Sequence, residues 1–366
     1  MKPLTILHTE ASPGWGGQEI RSLKEAVGMT RRGHRVLFAI QKGGGLVQPA
    51  RDAGFNVYEI PFKKLSLFKA CWILFCVMKR EKVDVVNTHS SLDAWLGGVI
   101  ARLTKKKVIR TRHLSTPVRR GLNSYLLYNR LADVVVTTCE KTAIILRKQA
   151  KLKSSECLSI PTGIELNKIN PHPILVADFR RNLGWKEEDC VVGTCCVLRG
   201  WKGISDLLYA AKTLEHIPHL KWLVIGGGVS EDYFRQQQKN LGLEDKVIFT
   251  GHLNSPYVAI GALDIFVLLS WANEGVSQAS LQAAALKKPL VTTAVGGLKE
   301  VCIDGKTGFI VGIKRPFEVA RAVEKLMKDP SLRQEMGERA YFLVKKYFTQ
   351  TETLNRMEQI YERINQ

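Results

Sequence analysis

Short apolar runs alternate with longer segments of helical period along almost the whole chain. Residues 4–8, 35–40, 57–60, 83–88, 108–111, 134–137 and 157–160 are rich in Val, Ile and Thr and read as strands. Between them, segments such as 19–31 and 91–103 repeat apolar positions three and four apart, as a helix face does. The pattern restarts beyond residue 190, with strands at 191–197, 222–225, 247–250, 265–269, 290–293 and 308–311. Helical runs at 331–347 and 351–365 close the chain. Strands alternating with helices predict parallel sheets covered on both faces, the α/β doubly wound class. Two such series, in 366 residues, predict two domains, since one core stops growing near this length. Asn170, Pro171, His172 and Pro173 interrupt regular structure, so the join is expected in 164–173. The first domain is then 1–168 and the second 169–347, with 348–366 packing back on the first. Ligands of such sheets bind beyond the C-terminal ends of the strands, which for two facing domains means the cleft between them.

Charge changes this picture more than composition does. Hydrophobic residues make up 45% and charged residues 24%, ordinary values for a globular protein. The formal net charge is +20, and it is lopsided. Residues 1–168 hold 29 Lys and Arg against 12 Asp and Glu, an excess of 17; the remainder holds 25 against 22, an excess of 3. An excess confined to one domain points to an anionic partner for that domain: nucleic acid, anionic lipid or a phosphorylated saccharide. No nucleic-acid module is recognisable, so specific nucleic-acid binding is not expected. Lys105 to Lys107, Arg119 with Arg120, and Arg31 with Arg32 are the densest basic clusters. Residues 66–80, with Lys63 and Lys64 upstream, fit a basic amphipathic helix on an anionic membrane, and equally a helix whose apolar face packs on the sheet.

The eight cysteines form no C-x-x-C pair, so buried thiols in a reducing compartment are expected rather than a metal site. The first eight residues turn polar too soon for a secretory signal, and no apolar run reaches the roughly 18–20 residues that span a bilayer. These features predict a cytoplasmic protein, peripheral on the inner face of the membrane.

The candidate chemistry lies mostly in the second domain. Arg199 and Lys202 sit on a glycine-containing turn with Gly200 and Gly203, after one strand and before a helix. A guanidinium fork and a mobile ammonium beside a helix N-terminus suit a diphosphate without a metal. After a later strand, Glu274 is followed by Gly275, Val276 and Ser277 and then an alanine-rich helix. Free amides there suit phosphate, and Glu274 can accept bonds from sugar hydroxyls; the bland alternative is that Glu274 only caps the helix. Gly296 and Gly297 with Glu300 make another strand–glycine–helix turn, whereas Gly226 to Gly228 reads as a tight bend. In the first domain His89 and His113 each follow a strand, His89 open between a site role and a structural one; His8 reads as structural.

Taken in order, these segments resemble the retaining glycosyltransferases of family 4, which have the GT-B fold of two facing Rossmann-like domains. The likeness extends to bacterial lipopolysaccharide-core and glycolipid glycosyltransferases. It rests on Arg199 with Lys202 and Gly203, on Glu274 with Gly275, on Gly296, Gly297 and Glu300, and on Asp304, Gly305, Thr307 and Gly308. The first domain adds Gly16, Gly17 and Glu19, then Arg112 with His113, Asp133, and Pro161 with Gly163. The resemblance implies that Arg199 and Lys202 neutralise a leaving diphosphate, as a metal does elsewhere. No D-x-D segment occurs. It implies that Glu274 holds hydroxyls of the transferred sugar, with the amides of Gly275, Val276 and Ser277 near the phosphates or sugar. Gly16 and Gly17 approach the phosphates, His113 lines the reaction centre, and the base contacts backbone near His252 and Leu253. No cofactor is implied beyond a nucleotide-sugar co-substrate, UDP-linked in preference to GDP-linked. The acceptor implied is an anionic glycolipid or lipopolysaccharide. Two positions depart: Gln282 stands where the family carries a second carboxylate that grips the ribose and, more mildly, Thr162 stands where the family often has asparagine before glycine. The substitution at Gln282 keeps open an alternative, a non-catalytic protein of this fold that binds an anionic glycan or membrane through a decayed donor site.

Overall fold

The computed structural model describes residues 2–113, 118 and 120–366; Arg119 and the side chain of Lys64 lie outside the described residues. Every apolar run singled out above is a strand. In the first half these are β1 Thr5–Glu10, β2 Arg35–Gln41, β3 Asn56–Ile60, β4 Val85–Thr88, β5 Lys107–Arg112, β6 Val134–Thr137 and β7 Cys157–Ser159. In the second they are β8 Cys190–Cys195, β9 Leu220–Ile225, β10 Val247–Gly251, β11 Ile265–Leu268, β12 Leu290–Thr293 and β13 Gly308–Val311. β8 ends at Cys195 rather than Val197, although Cys196 donating to the Ile225 carbonyl and Leu198 to that of Gly227 carry its register on β9 past the strand's end.

The strands form two parallel sheets, ordered β3-β2-β1-β4-β5-β6-β7 and β10-β9-β8-β11-β12-β13. The chain divides into two units, Met1–Pro161 with Thr353–Gln366, and Thr162–Glu352. Thr162 to Lys168 thus fall in the second unit, and Pro173 opens the helix Pro173–Asn182 instead of merely breaking structure. The charge stays lopsided on these boundaries: 30 Lys and Arg against 13 Asp and Glu in the first unit, 24 against 21 in the second.

Successive residues of a strand face opposite sides of a sheet, and the first unit fills both. Ile6, Phe38, Val85 and Ile109 pack under Ala26 and Met29 of the helix Gly17–Arg31, and under Met357, Ile360 and Tyr361 near the C-terminus. Leu7, Leu37, Val86 and Val108 face Ala70, Leu74, Val77 and Met78 of the helix Leu67–Arg80, together with Ile100 and Ala101. In the second unit Val192, Trp222, Val224 and Val267 pack with Ile204, Leu207, Val319 and Val323.

The helix Leu67–Arg80 therefore packs on the sheet through one face. Its other face leaves Phe68 and Trp72 95% and 68% exposed, next to a fully exposed Leu65. The expectation of buried cysteines fails at Cys76, which is exposed on that outer face; all eight thiols are free. No helix among the described residues is long and apolar enough to cross a membrane.

Candidate functional site

In each sheet the strand order reverses at one point, between β8 and β11 in the second unit and between β1 and β4 in the first. Loops leaving such a pair of strands diverge and open a crevice at their C-terminal ends.

In the second unit, β8 leads through Arg199 into the short turn Gly200–Lys202 and, by way of Gly203, into the helix Ile204–Thr213. Gly203 has φ +72°, and a Cβ there would lie 2.2 Å from the carbonyl oxygen of Leu269. Only glycine lets this turn press against the end of β11. Beyond β11, Glu274 is buried, and its Oε1 accepts from Lys202 Nζ at 2.5 Å and from Ser270 Oγ at 2.6 Å. The Ser270 carbonyl accepts in turn from Thr293 Oγ1 at 2.5 Å, at the end of β12. Gly296, with φ +57°, brings the next loop so close that a Cβ would lie 1.7 Å from the Glu274 carbonyl oxygen. Three neighbouring strands thus fix one carboxylate and the ammonium that neutralises it. Arg199 is exposed, its guanidinium 5.2 Å from the centre of the Trp201 ring.

Glu274 does not cap the alanine-rich helix. That helix is Gln278–Ala285, and Ser277 caps it by accepting from the Ser280 amide at 3.3 Å. Gly275, half-buried, and Val276, buried, lie ahead of the cap. Gln282 is half-buried within the helix, and the Gln278 carboxamide donates to the Thr162 carbonyl at 2.6 Å. His252, exposed, and Leu253, half-buried, follow β10. The His252 amide nitrogen lies 3.4 Å from where a Cβ on Gly227 would stand, so the ends of β9 and β10 adjoin there. Asp304 and Thr307 brace their own turn: Asp304 accepts from the Ile310 amide at 2.9 Å, and Thr307 donates to the Val301 carbonyl at 2.7 Å.

The first unit carries a different arrangement at its crevice. Gly16 is the N-cap of the helix Gly17–Arg31, which no side chain among the described residues caps. His8 lies in β1, His89 follows β4 and His113 follows β5, three neighbouring strands. Nδ1 of His8 lies 2.8 Å from Nε2 of His89, and Nδ1 of His89 lies 2.9 Å from Nε2 of His113. The His8 and His89 rings stack with centres 5.1 Å apart and planes 5° from parallel. Burial keeps all three neutral, lowering His8 to about 3 and His89 and His113 well below the usual range. The charges of Arg21 and Arg110 push His89 and His113 the same way.

Glu10, buried at the end of β1, accepts from the Ser12 amide at 2.8 Å, Ser90 Oγ at 2.5 Å and Gln18 Nε2 at 2.6 Å. Desolvation first, then the neighbouring Asp93, raises its pKa to about 7. Asp93 accepts from Thr9 Oγ1 at 2.9 Å and from the His89 amide at 2.8 Å. From the sequence His8 reads as structural, and no motif marks Glu10 or Asp93. Polar residues at the ends of two strands that the doubly wound order makes neighbours were the available signal.

Residues 15–168 match the family described as Glycosyltransferase Family 4, and residues 176–342 match Glycosyl transferases group 1. N-acetyl-alpha-D-glucosaminyl L-malate synthase of Bacillus anthracis is 23% identical over 365 residues, covering 95% of this chain and 94% of the relative. UDP-Gal:alpha-D-GlcNAc-diphosphoundecaprenol alpha-1,3-galactosyltransferase of Escherichia coli is 23% identical over 350 residues, covering 90% and 89%. The crystal structure of Anabaena HepE in complex with UDP superposes with a TM-score of 0.87 at 20% identity, covering 98% of this chain and all of that one. The two family matches take in, in order, every strand but β1, and the chain is a member of the GT-B glycosyltransferases, Family 4 in its first part and group 1 in its second.

Proposed function

We propose that this protein is a retaining, metal-independent glycosyltransferase that moves a sugar from a nucleoside diphosphate, UDP in preference to GDP, to an anionic membrane-linked acceptor. The observation that carries the reading is the Lys202–Glu274 pair at the β8–β11 crevice, with Arg199 exposed beside it. Lys202 and Arg199 take the diphosphate, whose charge grows as the bond to the sugar breaks. Glu274, already fixed by Lys202 and Ser270, holds sugar hydroxyls. The amides of Gly203, Gly275, Val276 and Ser277 meet the phosphates and sugar, and Gln282 meets the ribose through its carbonyl oxygen. Backbone at His252 and Leu253 meets the base. Gly16 and Gly17, at an uncapped helix N-terminus, meet the phosphates. His113 lines the reaction centre. The acceptor hydroxyl attacks the anomeric carbon on the face the phosphate leaves, and its proton passes to the departing phosphate oxygen. UDP in the Anabaena structure and the lipid-diphosphate acceptor named for the Escherichia coli relative support this choice of substrates.

The acceptor reading also draws on the first unit's positive charge and on the outer face of the helix Leu67–Arg80. Leu65, Phe68 and Trp72 are exposed there, with Lys69, Lys79 and Arg80 exposed around them. Apolar insertion plus cation attraction, about 1 kcal/mol per well-placed cation, suits peripheral binding to the inner face of the cytoplasmic membrane. A screen of UDP- and GDP-sugars for thermal stabilisation and hydrolysis tests the proposal. A UDP-sugar should raise Tm and release UDP slowly; no response to any at millimolar concentration would favour a non-catalytic protein with a donor site decayed at Gln282.

A further inference from the structure

The three imidazoles at the ends of β1, β4 and β5 are joined nitrogen to nitrogen, and their joining restricts their protons. A neutral imidazole has one N–H and one bare nitrogen, so each contact needs a donor on one side only. With Nδ1 of His8 on Nε2 of His89, and Nδ1 of His89 on Nε2 of His113, two arrangements satisfy both contacts. Either every ring carries its proton on Nδ1, or every ring carries it on Nε2.

The inner end selects between them. His8 is fully buried against Phe38, with ring centres 5.4 Å apart, and its Nε2 has no hydrogen-bond partner among the described residues. The Nε2–H arrangement would leave an orphan N–H there, whereas the Nδ1–H arrangement leaves only a bare ring nitrogen. Orphaned buried N–H groups are the rarer of the two. The half-buried outer ring, His113, then carries its proton on Nδ1, the ring nitrogen that the line does not use.

We infer that His8 and His89 are positioning residues that lock His113 as a neutral Nδ1–H donor to an oxygen of the sugar undergoing transfer. This rests on the reading of His113 as lining the reaction centre. Locked in this way, His113 cannot take a proton from the acceptor, because Nδ1 is occupied and Nε2 accepts from His89. Nor is the line a proton wire, since among the described residues its inner end meets no group that could supply or receive a proton.

Long-range nitrogen–proton NMR on histidine-labelled full-length protein reads the tautomers without turnover, and two substitutions at His8 read their consequence. The wild type should show Nδ1–H at all three positions and no protonation of them between pH 5 and 8. His8→Phe keeps a ring but removes the donor. It should give His113 a mixed tautomer and lower kcat about tenfold, with donor KM within twofold and UDP affinity unchanged. His8→Asn, whose amide nitrogen can stand where Nδ1 stood, should recover kcat to within threefold of wild type. An Nε2–H form of His113, its protonation in that pH range, wild-type turnover by His8→Phe, or equal losses in both variants would each overturn the inference. Failure of the wild type to bind UDP would instead count against the glycosyl-transfer reading, and the tautomers would still decide the lock.

Discussion

The two units are built on the same plan and use their strand reversals in opposite ways. At β8–β11 a buried carboxylate, Glu274, holds one cation, Lys202, and a second, Arg199, is exposed. At β1–β4 the polar groups are buried and bonded to one another, with imidazoles kept neutral and Glu10 held by three donors. On the proposed function, the crevice that receives the diphosphate presents cations, whereas the one that presents His113 backs it with buried groups bonded to one another. Net charge runs the other way. The first unit carries most of the positive charge on the rest of its surface, so surface charge and site charge answer to different partners.

Backbone substitutions should break the contrast most sharply. Gly296→Ala places a Cβ against the Glu274 carbonyl at a left-handed φ, so the loop must move; we expect a stability loss of about 3 kcal/mol or more and loss of UDP binding. Gly17→Ala at the other crevice meets no atom within 4 Å and should change stability by only about 0.5 kcal/mol. Thermal melts with and without UDP check both, and an unaffected Gly296→Ala would mean that Glu274 is not held from that side.

A smaller effect is expected at Gln282. Gln282→Glu restores a charged acceptor on the helix Gln278–Ala285 and should tighten UDP binding about three- to tenfold. Unchanged affinity by calorimetry would put that side chain outside the ribose site.

The smallest concerns pH and the first unit. Glu10 titrates near 7 in the fold and near 4.5 when unfolded. Its contribution is therefore complete below about pH 4.5 and is lost as pH rises through 7. The three imidazoles act oppositely. Their depressed pKa values give stability above about pH 6.5 that is lost on acidification, as the unfolded chain takes up protons that the folded one refuses. Glu10→Gln removes only the first of these trends. Relative to wild type, its Tm should rise by a few degrees between pH 5 and pH 8, measured by calorimetry across that range. Parallel curves would show that Glu10 is ionised without cost.

The strands were legible because many, such as β4, β6 and β12, are fully buried runs rich in β-branched residues. Arg199, Lys202 and Glu274 were legible as motifs, and the doubly wound plan places the ends of β8 and β11 side by side. What the sequence concealed depends on contacts between distant segments. His8 and His89 are 81 residues apart and meet only because β1 pairs with β4. The service of Gly296 to Glu274 is a close approach of two backbones, for which a glycine is a necessary but common sign. Which residue caps the alanine-rich helix was left open by the sequence, and the structure gives that place to Ser277, not Glu274. Cys76 proved exposed because its helix buries one face only.

Arg199 and Lys202 in the second unit are proposed to hold the donor diphosphate. Calorimetric titration of UDP into wild type, Arg199→Ala and Lys202→Ala tests this role directly. Arg199 is exposed, so its removal should leave Tm within about 2 °C of wild type. Lys202→Ala should also lower Tm, because Glu274 is left buried without its cation. Each substitution should weaken UDP binding at least about thirtyfold, near 2 kcal/mol. Wild-type affinity for UDP in both folded variants would contradict that role.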